Sequence, residues 1–153
     1  MHNIDTLLKD KGKDIWSIEP RETAFKALET MAQRNVGALL VIDKGKLVGI
    51  FSERDYARKV ILKGKSSKET TVGELMTPDV FYASPENTLQ ETMALMTAKH
   101  IRHMPVLQDG RLIGMVTLGD VVKEIISEQN LRLKNWQSTF QAVMISERPR
   151  SIF

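Results

Sequence analysis

Gly49-Ile50-Phe51-Ser52-Glu53-Arg54-Asp55 runs an apolar strand into a hydroxyl and a carboxylate at the start of a helix. Sixty-five residues later Gly114-Met115-Val116-Thr117-Leu118-Gly119-Asp120 does the same, with glycine, hydroxyl and aspartate in register. Self-similarity at a fixed offset takes precedence over any fold assignment. Extended both ways, Ile18 to Val60 lies on Ala83 to Ile125 without a gap. Identical pairs include Pro20/Pro85, Thr23/Thr88, Met31/Met96, Val41/Val106, Gly45/Gly110 and Leu47/Leu112, and other pairs match in character, as Val48 with Ile113. The chain is a tandem duplication.

Each half reads as helix, strand, helix, strand, strand, helix. Ile4, Leu7 and Leu8 give Asn3 to Asp10 one apolar helical face, echoed by Val72, Leu75 and Met76 in the second half. Ile15 to Ile18 and Val80 to Ala83 read as brief strands, each followed by a proline two residues on. Thr23 and Thr88 then cap helices with helical apolar spacing. Ala38 to Asp43 and His103 to Gln108 are joined through Lys44-Gly45 and Asp109-Gly110 to Leu47–Phe51 and Leu112–Val116, a strong hairpin signal in which glycine supplies a positive φ. Three strands with helices on one face leave the other face bare. The halves are therefore expected to pack sheet to sheet, with a pseudo-twofold axis and two equivalent clefts beside the strand-to-helix junctions.

The 153 residues are 42% hydrophobic, enough for a sizeable core. No apolar run reaches the roughly 20 residues that span a bilayer, and the first residues lack the basic-then-apolar layout of a secretory signal, so a cytoplasmic location is expected. The absence of cysteine removes disulfide scaffolds, thiolate metal sites and cysteine nucleophiles together. Net charge is +3, but Arg54 to Lys68 holds six basic residues and one acid. That strip either faces phosphate or is a solvated helix face.

The junctions suggest nucleotide chemistry. A helix start leaves unpaired N–H groups and partial positive charge, which suit phosphate. A hydroxyl beside it adds a donor, and a carboxylate one turn in suits the two vicinal hydroxyls of a ribose. The competing reading of Ser52 with Asp55, and of Thr117 with Asp120, is a helix capping box. Gly119 lets backbone approach a ligand closely. Arg54 in the first helical turn could grip a phosphate, and Arg58, four residues on, a second one or the far half of a dinucleotide. The first cleft is accordingly expected to prefer ADP, ATP or NAD to AMP and adenosine. Catalytic arrangements are missing: there is no H-E-x-x-H, and Gly64-Lys65-Ser66 fails as a P-loop because Lys59 stands where its first glycine belongs. His100 and His103 have no cysteine or paired carboxylate beside them in sequence to complete a metal site.

The element order, Arg102-His103-Met104-Pro105-Val106 and the two G-x-x-[ST]-x-x-D junctions resemble a pair of cystathionine-β-synthase (CBS) domains, together a Bateman module, from about Asn3 to about Glu128. Ser52 to Val60 further resembles small stand-alone prokaryotic members; Leu40 departs from the pattern where Pro105 keeps it. The resemblance implies an α/β (α+β) fold of two β-α-β-β-α units with helices outside, over residues 3–65 and 71–128, followed by a helical extension and tail at 129–153. It also implies a non-catalytic regulatory sensor of an adenine nucleotide (AMP, ADP, ATP or NAD) acting on a target protein. Adenine would rest on Gly37, Ala38 and Leu39 with Ile15 to Ile18 in one repeat, and on Arg102, His103 and Met104 with Val80 to Ala83, including Tyr82, in the other. Alternatives are a ligand-free scaffold or a nucleic-acid module; the latter is disfavoured by the small net charge and the lack of aromatic-basic interleaving. Leu133, Trp136, Phe140 and Val143 continue a helical stripe beyond the module, which needs cover from its own module or from a second copy, and the family's habit of pairing points to a homodimer.

Overall fold

The computed structural model describes residues 2–146. Helix α1 (Ile4–Lys11) leads to β1 (Ser17–Ile18), α2 (Ala24–Arg34), β2 (Ala38–Asp43), β3 (Lys46–Ser52) and α3 (Glu53–Tyr56), which widens into a π-helical turn at Ala57–Ile61. The second half supplies α4 (Val72–Leu75), α5 (Leu89–Lys99), β4 (His103–Gln108), β5 (Arg111–Thr117) and α6 (Leu118–Ser146).

The duplication is visible in the caps and turns. Thr23 and Thr88 accept from the third N–H of α2 and α5, as their sequence positions predict. Both helices end in a left-handed residue that is not glycine, Asn35 and His100, at φ 53° and 55°. Lys44-Gly45 and Asp109-Gly110 have positive φ at both positions, which matches hairpin turns to the twist of their strands. Each hairpin also shifts register at the same place, after Val41 and after Val106.

β1 pairs parallel to β2, which pairs antiparallel to β3. The expected strand at Val80 to Ala83 shrinks to one parallel bridge, Ala83 with Val106, so the second sheet has two full strands. Pro85 follows closely, and the bridge holds only the two hydrogen bonds from Ala83 N to Pro105 O and from Leu107 N to Ala83 O.

The leader helices cross over. Ile4, Leu7 and Leu8 of α1 are buried with Leu89, Met96, Met104 and Val116 of the second half. Val72 and Leu75 of α4 are buried with Ala27, Met31, Val41 and Phe51 of the first. The backbone follows, with Ile4 N donating to Asn87 O and Val72 N to Glu22 O. Leu40 and Pro105 are buried on the opposite sheet faces and belong to neither cluster. Both faces of each sheet are thus covered, as halves paired through their sheets require. No helix among the described residues is long and apolar enough to cross a membrane.

Candidate functional site: two clefts with a common wall

At the first junction the capping box is fully formed. Ser52 Oγ accepts from Asp55 N (3.2 Å), and Asp55 Oδ2 accepts from Ser52 N (2.9 Å) and Ser52 Oγ (3.0 Å). Asp55 Oδ1 takes Thr77 Oγ1 at 3.3 Å and the Lys59 ammonium at 3.1 Å. Four donors occupy a carboxylate with about four acceptor sites. The second junction repeats the cap, Asp120 N to Thr117 Oγ1 (3.1 Å) and Thr117 N to Asp120 Oδ2 (2.8 Å), and Lys11 of the crossed-over α1 bonds the same Oδ2. Burial works against ionisation of Asp120, but the bonds from Lys11 and Thr117 together outweigh it and hold the carboxyl below its ordinary value.

Each helix start is also partly used. Glu53 N donates to Gly37 O and Leu118 N to Arg102 O, so two of the first three N–H groups of α3 and of α6 are already paired. A phosphate at these junctions depends more on side chains than the sequence pattern alone implies.

The first cleft, about 250 Å³, gathers Ser52, Glu53, Arg54 and Asp55 with Gly37, Thr77 and the His100–His103 segment. Arg54 crosses it, its guanidinium donating to His100 O at 2.8 Å. The second, about 770 Å³, gathers Thr117, Leu118 and Gly119 with Lys11, Asp14, Trp16, Asn35 and Gly37, and Val122 forms part of its rim. Gly37, Arg102 and His103 line both. A Cβ at Gly37 would stand 3.5 Å from the His103 ring, so the starts of β2 and β4 meet at this common wall. Burial, chiefly, pushes His103 below the ordinary imidazole value; Lys11 and Arg102 act with it, Glu53 and Asp120 against it.

The structure thus brings Ser52, Arg54, Asp55, Gly37, Arg102 and His103 together at one cleft and Thr117 and Gly119 with Gly37, Arg102 and His103 at the other. Other residues singled out in the sequence stand elsewhere. Ala38, Leu39 and Met104 are fully buried and Ile18 nearly so, and none lines either cleft, because successive strand residues point to opposite sheet faces and both faces are covered. Tyr82 lies in a separate groove between the hairpin ends, with Ile42, Leu47, Pro78 and Leu112. Arg58 is exposed and lines neither cleft; its expected place above Arg54 assumed an α-helix, whereas the chain widens at Ala57. The contributions of Thr77, Trp16, Lys11 and Lys59 were not foreseen. Trp16, stacked under Arg34 at 4.2 Å, lies within the Ile15 to Ile18 segment but faces the junction of the other repeat. Among the described residues no three His, Asp or Glu converge as a metal site.

The family model of the CBS domain matches residues 11–61 and 72–127. Over 148 residues the chain is 40% identical to the CBS domain-containing protein CBSX3, mitochondrial, of Arabidopsis thaliana, covering 90% of this chain and 71% of that protein. A CBS-domain protein from Burkholderia ambifaria MC40-6 has a structure with TM-score 0.80 to this one at 44% identity, covering 83% of this chain and 96% of that chain. The CBS domain pair of protein MJ0100, solved with 5′-methylthioadenosine and S-adenosyl-L-methionine, gives TM-score 0.74 at 25% identity, covering 84% and 98%.

Proposed function

The chain belongs to the CBS domain family as a tandem pair, and on that premise we propose that it is a non-catalytic sensor whose two clefts bind an adenine nucleotide and report its occupancy to a target protein. CBS pairs are regulatory ligand-binding modules, and the MJ0100 pair holds two adenosine compounds. The observation that carries the reading is the repeated hydroxyl-aspartate junction beside two clefts sharing Arg102 and His103: Ser52 and Asp55 line the first, while Thr117 and Lys11 line the second and Asp120, bonded to both, stands outside its lining. A binding role predicts paired sites that share a cation, here Arg102; a scaffold has no need of either. In each cleft the aspartate takes the ribose hydroxyls. Trp16 offers an aromatic edge to a base in the second cleft, and the Arg54 guanidinium takes the phosphate in the first.

Lys59 sets a condition on the first cleft. Because Asp55 already receives four donors, ribose hydroxyls must displace the ammonium or the Thr77 hydroxyl. Calorimetric titration of adenosine, AMP, ADP, ATP and NAD tests the assignment. A hydrogen bond to a charged group contributes about 1.5 to 3 kcal/mol, so Asp55→Ala and Asp120→Ala are expected to weaken their own cleft by roughly 10- to 100-fold. Lys59→Met is expected to tighten adenosine at the first cleft, and Arg54→Ala to weaken ATP more than adenosine. If the double aspartate variant binds all five compounds like wild type, the aspartates are caps alone and the reading fails.

A further inference from the structure

Helix α6 carries an apolar face that the fold leaves bare. Val122, Ile126, Leu133, Trp136 and Phe140 are 37%, 53%, 59%, 64% and 50% exposed. Together with Gln129 they step along the chain by four, three, four, three and four, the a and d positions of a heptad. A helix covered by its own domain follows the 3.6-residue period, and its apolar stripe drifts around the axis; a repeat held at 3.5 keeps one seam toward another helix. Trp136 and Phe140 lie side by side on this seam, their rings stacked at 5.3 Å and 12°.

The occupant can be argued from the same helix. Between Gly119 and Ser146 there is no glycine or proline, and the segment is one unbroken helix, so no hinge allows the stripe to fold back onto its own module. The polar flanks mix Lys123, Arg132 and Lys134 with Glu124 and Glu128, which is not the basic face an anionic lipid surface selects. We propose that the seam is closed by α6 of a second copy, as a parallel, in-register two-stranded coiled coil. In that arrangement Arg132, already neutralised by Glu128 at 3.1 Å, faces Gln137 of the partner subunit, and no like charges meet across the seam. Gln129, the one polar residue between Val122 and Phe140 on the seam, meets its own counterpart and the two amides hydrogen-bond. A slipped or antiparallel pairing would press the same amide against apolar side chains, so Gln129 fixes both register and direction. This inference stands whether or not the clefts bind nucleotide.

Sedimentation equilibrium of the full chain at micromolar concentration is expected to give the mass of two chains. Trp136→Glu combined with Phe140→Glu, both at exposed positions, is expected to give a monomer whose circular dichroism still shows a folded module, with less helix and a lower melting temperature because the partner covering the end of α6 is lost. Because the chain has no cysteine, Gln129→Cys introduces a single thiol, and mild oxidation is expected to link nearly all of it into dimers. A monomeric wild type, or a double variant that remains dimeric, overturns the coiled coil. A Gln129→Cys dimer that resists oxidation overturns the parallel register.

Discussion

Asp55 and Asp120 both cap the helices behind them, and the proposed function asks each also to take a ribose, Asp55 from the lining of the first cleft and Asp120 from behind Thr117 in the second. The cap uses the oxygen nearer the backbone; what differs is the lysine, which reaches Asp55 Oδ1 from one turn along its own helix and Asp120 Oδ2 from the crossed-over α1. Capping was legible as an alternative in the sequence, but the lysines were not, because Lys11 meets Asp120 across 109 residues and only the fold brings them together. The common wall yields a prediction of its own. His103 is held neutral in the fold, chiefly by burial, below the imidazole value near 6.5 that it recovers on unfolding. The unfolded chain therefore binds more protons as pH falls from that value toward the lowered native one, and stability present at neutral pH is lost across that interval. Melting temperature is expected to drop more between about pH 7.5 and about pH 5.5 for wild type than for His103→Gln. Equal drops would mean that the ring is solvated and the wall open.

Among the elements, the strands and hairpins were readable because alternation and Lys-Gly or Asp-Gly turns are local signals. The crossing of α1 and α4 was not readable, since the short apolar faces of the leaders fit either core and nothing in their spacing names a partner. What marks their seats is a pair of glycines in β3 and β5. A Cβ at Gly49 would stand 2.6 Å from Met76 Sδ and 3.0 Å from the Thr77 carbonyl oxygen; at Gly114 it would stand 2.8 Å from Leu8 Cδ2. The duplicated glycines that began the sequence comparison therefore make room for the crossed-over leaders, a packing role distinct from the turn glycines Gly45 and Gly110. The two seats differ in what can yield. Leu8 can rotate, whereas Thr77 presents backbone that is itself bonded to Ile50. Gly49→Ala is expected to destabilise by about 1 to 3 kcal/mol, the range for overpacking, and Gly114→Ala by less. Urea denaturation that ranks them the other way would show that α4 moves more freely on its sheet than α1.

For the whole molecule the crossing makes each core a joint product of both halves. Residues 18–60 and 83–125 are repeats of sequence, and the structure fills each repeat's core with the other's leader: without α1 the second core lacks Ile4, Leu7 and Leu8, and without α4 the first lacks Val72 and Leu75. Of the extension at 129–153, the described part continues α6 without a break and residues 147–153 lie outside the described residues. Such an arrangement couples the halves thermodynamically, because neither can open fully without releasing a piece of the other. Leu8→Ala tests this directly. The side chain is 1% exposed, and removing it is expected to cost about 2 to 5 kcal/mol. Were the leader part of its own half, amide exchange would accelerate first in β2 and β3. The crossed packing instead places the loss beside Met96, Met104 and Val116. Native-state hydrogen exchange of Leu8→Ala is therefore expected to lose protection first in β4 and β5, which begin 95 residues beyond the substitution on the far side of the duplication, while β2 and β3 keep theirs until global unfolding. Protection lost first in β2 and β3 would return α1 to its own repeat and remove the physical link between the two clefts.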